Sequence, residues 1–575
     1  MNTKKMCNNK FSIGYYKSKP IDLSSLEQNY IQSQNDIENN YNPFQINKLQ
    51  KYNPVYDTLF TLSSKNYNTI QLNHYNHFIN TQLVVDMSDN ERNQDVFFKY
   101  SPLLDPLHYM VGKYEKDKEY IHNLPYPTCI FKDASANVIS KISSQHNCSY
   151  VDSFFCYLSS MTRQTHHILN CLDFYGSFIG IQNSYKYDVS DDLDYLSSSS
   201  FFNDNMNTLF TLENINVDQY HDDESRKKRP KLCISKTNHN ITAVSLTECI
   251  VDVSDITNDS IDDCIIYDST FDISGNHLSG DNNSQSSDDD SSVAYTTDTD
   301  ENNESEWDTE SESSYDSNIT CSPDEEQNAY IKNYPVQMIC LEKCDGTFDD
   351  LFTSGNATLD NTSSALFQVV MSLIIYQKLF SFTHNDLHTN NIMYIETDID
   401  YLHYKYNKQI YKVPTYGRIY KIIDFGRSIY RFNNRLYCSD SFGPSGDAST
   451  QYNCEPYLNT EKPRIDPNFS FDLCRLGCSL YDFIIDDDED TNNFNDLQKI
   501  VQLWCTDDNG KNILYKKNGE ERYPDFKLYK MIARTVHHHT PEAQLKLPYF
   551  KQFEISKDDI SNQTIINIDD IPIYT

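Results

Sequence analysis

Asp386 stands five residues before Asn391 in the run Thr383-His384-Asn385-Asp386-Leu387-His388-Thr389-Asn390-Asn391, and a further acid, Asp424, opens Asp424-Phe425-Gly426 behind an apolar run. A carboxylate and a carboxamide one short loop apart can face the same phosphate. There one orients an attacking hydroxyl, while the other joins a second carboxylate around a divalent cation. Phosphoryl transfer is the chemistry these residue types and this spacing suit.

Such groups need rigid elements on both sides. Ile392-Met393 follows Asn391 directly, as expected of a strand seating the loop on a core, and Tyr420-Lys421-Ile422-Ile423 reads as a buried strand running into Asp424. Residues 365–382 are the most apolar stretch, but Gln368, Ser372, Gln377 and Lys378 interrupt it. A buried helix is expected there rather than a membrane span. Tyr334-Pro335-Val336-Gln337-Met338-Ile339-Cys340-Leu341 reads as another buried strand, and Val151, Phe154, Phe155 and Leu158 recur at helical spacing.

The ordered set of motifs resembles the eukaryotic protein kinases. His384-Asn385-Asp386 with Asn391 is similar to the catalytic loop H-R-D-x-x-x-x-N, Asp424-Phe425-Gly426 to the metal-binding D-F-G, and Asp472 to Gly477 to the helix D-x-W-S-x-G. The resemblance implies an α+β, two-lobed kinase fold and transfer of the ATP γ-phosphoryl group, with Mg²⁺, to Ser or Thr hydroxyls of protein substrates. Asp386 then orients the hydroxyl and His388 approaches the transferred group. Asn391 and Asp424 hold Mg²⁺, and His384, Asp472 and Gly477 support the loop. Leu341 takes the gatekeeper place, with the backbone from Glu342 to Cys344 meeting adenine. Lys99, in Val96-Phe97-Phe98-Lys99, resembles the lysine that holds the α- and β-phosphates. Its carboxylate partner is expected at Asp152, with Glu115 and Glu119 as rivals.

The departures from that pattern are specific. Asn385 replaces the loop arginine, so a phosphorylated activation loop has no arginine there to dock on. His388 replaces a lysine, Cys474 a tryptophan, and Cys454-Glu455-Pro456 lies where A-P-E is expected. No G-x-G-x-x-G precedes Lys99, although such a loop lets backbone N–H groups approach phosphates closely. Asp386-Leu387-His388-Thr389-Asn390-Asn391 is also similar to choline and aminoglycoside kinases, so a small-molecule kinase is one alternative. A catalytically weak pseudokinase scaffold is the other. The Asn- and Tyr-rich character resembles atypical kinases of giant DNA viruses.

Composition sets the remaining expectations. The 575 residues carry a formal net charge of -36, which disfavours nucleic acid and anionic membranes as partners. Residues 221–327 hold 27 acidic and 6 basic residues, a net of -21, and read as a disordered acidic insertion. The map is then a flexible extension (1–48), the first part of the small lobe (49–220), the insertion (221–327), and the last small-lobe strand and hinge (328–345). A helical lobe (346–551) and an acidic tail (552–575) follow. Sixteen cysteines without a CxxC pair suit a reduced, intracellular protein, cytoplasmic or within a virion. Arg226-Lys227-Lys228-Arg229-Pro230-Lys231 resembles a nuclear localisation signal. His537-His538-His539 reads as a solvated or capping run rather than a metal site.

Overall fold

The computed structural model describes residues 10–17, 21–33, 41–127, 137–213, 265–266, 327–485, 491–556 and 564–575. The acidic insertion and the basic run at 226–231 lie outside the described residues, save Ile265–Ile266, a two-residue strand antiparallel to Gly14–Lys17.

The chain is of mixed α+β class. Its first part is organised by four antiparallel strands, β1 (Ile46–Gln50), β2 (Val96–Pro102), β3 (Phe174–Asp188) and β4 (Asn328–Glu342). Their order across the sheet is β1-β3-β4-β2. Register places Lys99 opposite Ile339 and Phe97 opposite Leu341. Gly180 is required where β1 crosses β3, because a Cβ there would lie 2.3 Å from Ile46 Cγ2 and 2.9 Å from the Asn47 carbonyl oxygen. Phe210–Leu212 pairs with the start of β4, and Glu213 N–H donates to the Asn328 carbonyl at 2.8 Å. The two ends of the segment between them are thus one hydrogen bond apart.

Helix α1 (Cys148–His166) packs against this sheet. Asn147 caps it by accepting from Ser149 N–H, and His167 ends it in a left-handed conformation. Every residue from Ser149 to Thr162 is buried, polar ones included. A periodic apolar stripe therefore understates how enclosed the helix is.

The second part is led by α2 (Leu359–Phe380), which opens with a reciprocal Thr358–Asn361 capping box. It holds the most apolar run as an almost wholly buried core helix, as its interrupting polar residues indicate. β5 (Ile392–Glu396) pairs with β8 (Arg418–Ile422). Between them β6 (Tyr401–Tyr406) and β7 (Gln409–Pro414) form a hairpin that accounts for the long spacing from Asn391 to Asp424. Helices α3 (Phe471–Ile484), α4 (Asp496–Trp504) and α5 (Lys527–Thr535) complete the core here.

Both termini depart from expectation. Within the expected flexible extension, Phe11, Ile13, Leu23, Leu26, Tyr30 and Phe44 are buried, and Ser24–Ser33 is a helix. Within the expected acidic tail, Glu554–Ile555 pairs with β7 and Ile566–Asn567 with β6, while Ile568, Ile571 and Tyr574 are buried. The two segments meet. Phe11 N–H donates to the Tyr574 hydroxyl at 3.0 Å, and their rings stack with centroids 4.2 Å apart. Isolated aromatic anchors separated by polar residues bury well without leaving a periodic trace.

Candidate active site

Lys99 sits in mid-β2 with its side chain 5% exposed. Its ammonium donates to Asp152 Oδ2 at 2.7 Å and to Asp424 Oδ1 at 2.8 Å. Burial opposes the charge, but the Asp152 and Asp424 carboxylates outweigh it and push the lysine pKa up. Asp152 comes from α1, and its Oδ1 also accepts Phe425 N–H at 3.0 Å. One aspartate thereby joins β2, α1 and the Asp424-Phe425-Gly426 turn. The rivals are elsewhere: Glu115 pairs with Lys118 at the surface, and Glu119 is exposed.

Phe425 is fully buried, its ring 4.6 Å from Phe155 and 5.9 Å from both Phe382 and His384. Asp424 itself has φ +60°, a conformation side chains tolerate only where neighbours fix it.

The loop bearing Asp386 is fixed from α3. Asp472 accepts His384 N–H at 2.9 Å and Asn385 N–H at 2.8 Å, one on each oxygen. Burial raises the Asp472 carboxyl above its usual range even so. His384 Nε2 lies 2.8 Å from the Ile423 carbonyl, tying the loop to the strand before Asp424. Gly477 lets α4 approach α3, since a Cβ there would meet Trp504 Cβ at 2.7 Å. Asn385, where the related motif has arginine, donates to the Arg427 carbonyl and accepts from the Tyr452 hydroxyl, both at 2.9 Å.

Asp386 is 3% exposed. Its Oδ1 accepts the Tyr529 hydroxyl at 2.7 Å, and Arg427 Nη1 is 3.8 Å from Oδ2. Asn391 Nδ2 donates to the Asp386 carbonyl at 2.9 Å, which commits its amide nitrogen. An amide oxygen and the Asp424 carboxylate are hard donors that suit Mg²⁺, so these residues fit the ion. Among the described residues no group of three or more His, Cys, Asp and Glu forms a metal cage. Burial pushes His388 down to about 4 despite Asp386 beside it. It is therefore a neutral imidazole at neutral pH, not a replacement for the lysine cation.

The hinge residues divide. Leu341 is buried at the end of β4. The Glu342 side chain turns inward: its carboxylate takes Lys421 at 2.5 Å, Arg163 at 2.7 Å and Asp173 N–H at 3.0 Å. Backbone N–H groups of Glu342, Lys343 and Asp345 are held by Asp173, Asp95 and Tyr394 carbonyls. In this run Cys344 N–H alone has no acceptor among the described residues.

No strand among the described residues pairs with the outer edge of β2. The meander Asn76–Asn80, Leu83–Asp86 and Glu91–Asn93 rests instead on Phe98 and Phe178 through Phe78. Phe98 faces opposite to Lys99, so this meander does not cover the lysine.

The histidine run divides: His537 and His538 are exposed, whereas His539 is buried. His537 and His538 face Asp508 at 2.6 and 3.7 Å, and His539 Nε2 is 2.8 Å from the Thr506 carbonyl. Glu455 is exposed. Tyr529, Arg427, Arg163 and Lys421 were not marked by any motif. The one available signal was a lysine, Lys421, inside an otherwise apolar strand.

No protein-family model matches the chain. It is similar to "Uncharacterized protein 098R" of Invertebrate iridescent virus 6, 32% identical over 129 residues. The match spans 22% of this chain and 20% of that protein.

Proposed function

We propose that the chain is an ATP-dependent protein kinase of the two-lobed fold, acting on Ser or Thr hydroxyls. The observation that carries this reading is the buried Lys99–Asp152–Asp424 cluster. Three residues from separate motifs meet there at hydrogen-bond distance, beside a loop whose backbone Asp472 holds. In this reading Lys99 grips the α- and β-phosphates, and Asp424 with Asn391 holds Mg²⁺, which supplies positive charge at the phosphates. Asp386 orients the acceptor hydroxyl, and Arg427 supplies the cation that neutral His388 does not. Cys344 N–H and the Leu341 side chain define the adenine edge.

The site is closed as it stands, since the side chains of Lys99 and Asp424 are 5% and 8% exposed. Nucleotide entry requires β2 to part from the Asp424 turn. That closure favours a catalytically weak scaffold as the second reading.

Transfer of labelled γ-phosphate by the purified full chain separates the readings. Protein acceptors are compared with choline and an aminoglycoside, using wild type and Asp386→Asn. The kinase reading expects label on protein Ser or Thr and at least a 100-fold loss in the variant. Label on the small alcohols alone would overturn the protein-substrate assignment, and no transfer by wild type would favour the scaffold.

A further inference from the structure

The contact between Tyr529 and Asp386 joins residues 143 positions apart, and its polarity is determined. Arg475 Nε donates to the Tyr529 oxygen at 2.9 Å. A guanidinium has no acceptor, so the tyrosine oxygen accepts from Arg475 and its single proton goes to Asp386 Oδ1. Tyr529 is 1% exposed. Burial, with the Asp386 carboxylate beside it, raises its pKa against the two nearby arginines, so the hydroxyl keeps that proton.

The donor is held firmly. Tyr529 lies on α5, whose Leu528, Ile532 and Ala533 are buried, and its ring stacks on Phe526 at 5.5 Å. The Arg475 guanidinium lies over the same ring, 5.1 Å from its centre. Arg475 is 1% exposed, and its Nη1 has no partner among the described residues. Moving Tyr529 away would leave this buried cation without its acceptor, at a cost no surface contact offsets. A removable plug would not be anchored in this way.

We propose that Tyr529, fixed by Arg475, is a positioning residue that holds the Asp386 carboxylate in one orientation for the acceptor hydroxyl. This rests on the kinase reading for its consequence in catalysis, but not for its geometry. The tyrosine hydroxyl occupies one oxygen of Asp386 and Arg427 faces the other. The carboxylate plane is thereby set before any substrate arrives, as an orienting group requires.

The test uses Tyr529→Phe, Arg475→Lys and the double variant in the full chain, with labelled ATP and a protein acceptor. Tyr529→Phe is expected to lower kcat about 10- to 100-fold, the effect of losing one hydrogen bond to a charged group. KM for ATP stays near the wild-type value, while melting falls by a few degrees because buried Arg475 loses its acceptor. Because Arg475 acts through Tyr529, the double variant is expected to be no slower than Tyr529→Phe alone. A rise in kcat would identify a plug and overturn the proposal. So would unchanged kcat, additive losses, or a loss seen only in KM and melting. Crystal structures of wild type and Tyr529→Phe decide the geometry without any activity. Asp386 should adopt a second rotamer or shift in the variant, and an unmoved, well-ordered carboxylate would overturn the proposal. Absence of transfer by wild type would sink the kinase reading, while the crystallographic comparison would still decide this one.

Discussion

Replacing Glu342 by Gln keeps the shape of the hinge side chain and removes one charge. In the native protein its carboxylate faces Lys421, 2.5 Å away with a fully buried side chain, and Arg163, 2.7 Å away and 21% exposed. Burial opposes the carboxylate, but these two cations outweigh it and hold its pKa below the usual range. The variant leaves both cations without a counter-charge. Arg163 reaches water and keeps the Cys171 carbonyl, so the main cost falls on Lys421. Breaking a buried pair by removing one partner costs about 3–5 kcal/mol. At roughly 1 °C per kcal/mol for a chain of 575 residues, melting should fall by about 3–5 °C. The deficit should be full above about pH 4.5, the ordinary value for a glutamate. It should close as the pH falls through the lower native value, where the wild-type carboxylate is protonated too. Scanning calorimetry of both proteins across this range is the measurement. Adding Lys421→Met should restore more than half of the loss by removing the stranded cation. A fall below about 2 °C, or no recovery in the double variant, would refute the reasoning.

Two further outcomes follow from the same structure. Replacing residues 214–326 with a short Gly-Ser linker removes the two-residue pairing of Ile265–Ile266 with Gly14–Lys17 but should leave melting within about 2 °C of wild type, because Glu213 and Asn328 are already hydrogen-bonded and loop-closure entropy changes slowly with length. A drop near 10 °C would show that the segment packs on the rest. In an NMR titration the His388 ring should stay neutral down to about pH 4, and a midpoint near 6.5 would show that it is open to water.

The site was legible wherever chemistry is local in sequence. Asp386 and Asn391 share one loop, Asp424 follows a strand and Asp472 opens a helix, each with a pattern that could be read directly. Asp152 was harder, because a fully enclosed helix offers no polar face from which to single out one acid. The inward turn of the Glu342 side chain left no signal, because its partners Arg163 and Lys421 come from distant elements. Tyr529 and Arg475 left no signal, since their partnership with Asp386 exists only once α3 and α5 pack together. The edges of the fold were hidden in the same way, because Phe11 and Phe44 bury their rings against the distant Tyr574 and Phe98.

The pairing of Phe11 with Tyr574 spans 563 positions, and that separation is also an interval of time. At about 5–20 residues per second of synthesis, Phe11 leaves the ribosome roughly half a minute to two minutes before its partner exists. The strand carrying Lys99 emerges early in that interval, while β4, which pairs with it, comes far later. The nascent chain therefore holds unsealed strands and unburied aromatic rings for most of its synthesis. The seam between Phe11 and Tyr574 can close only after the later of its two partners has been made.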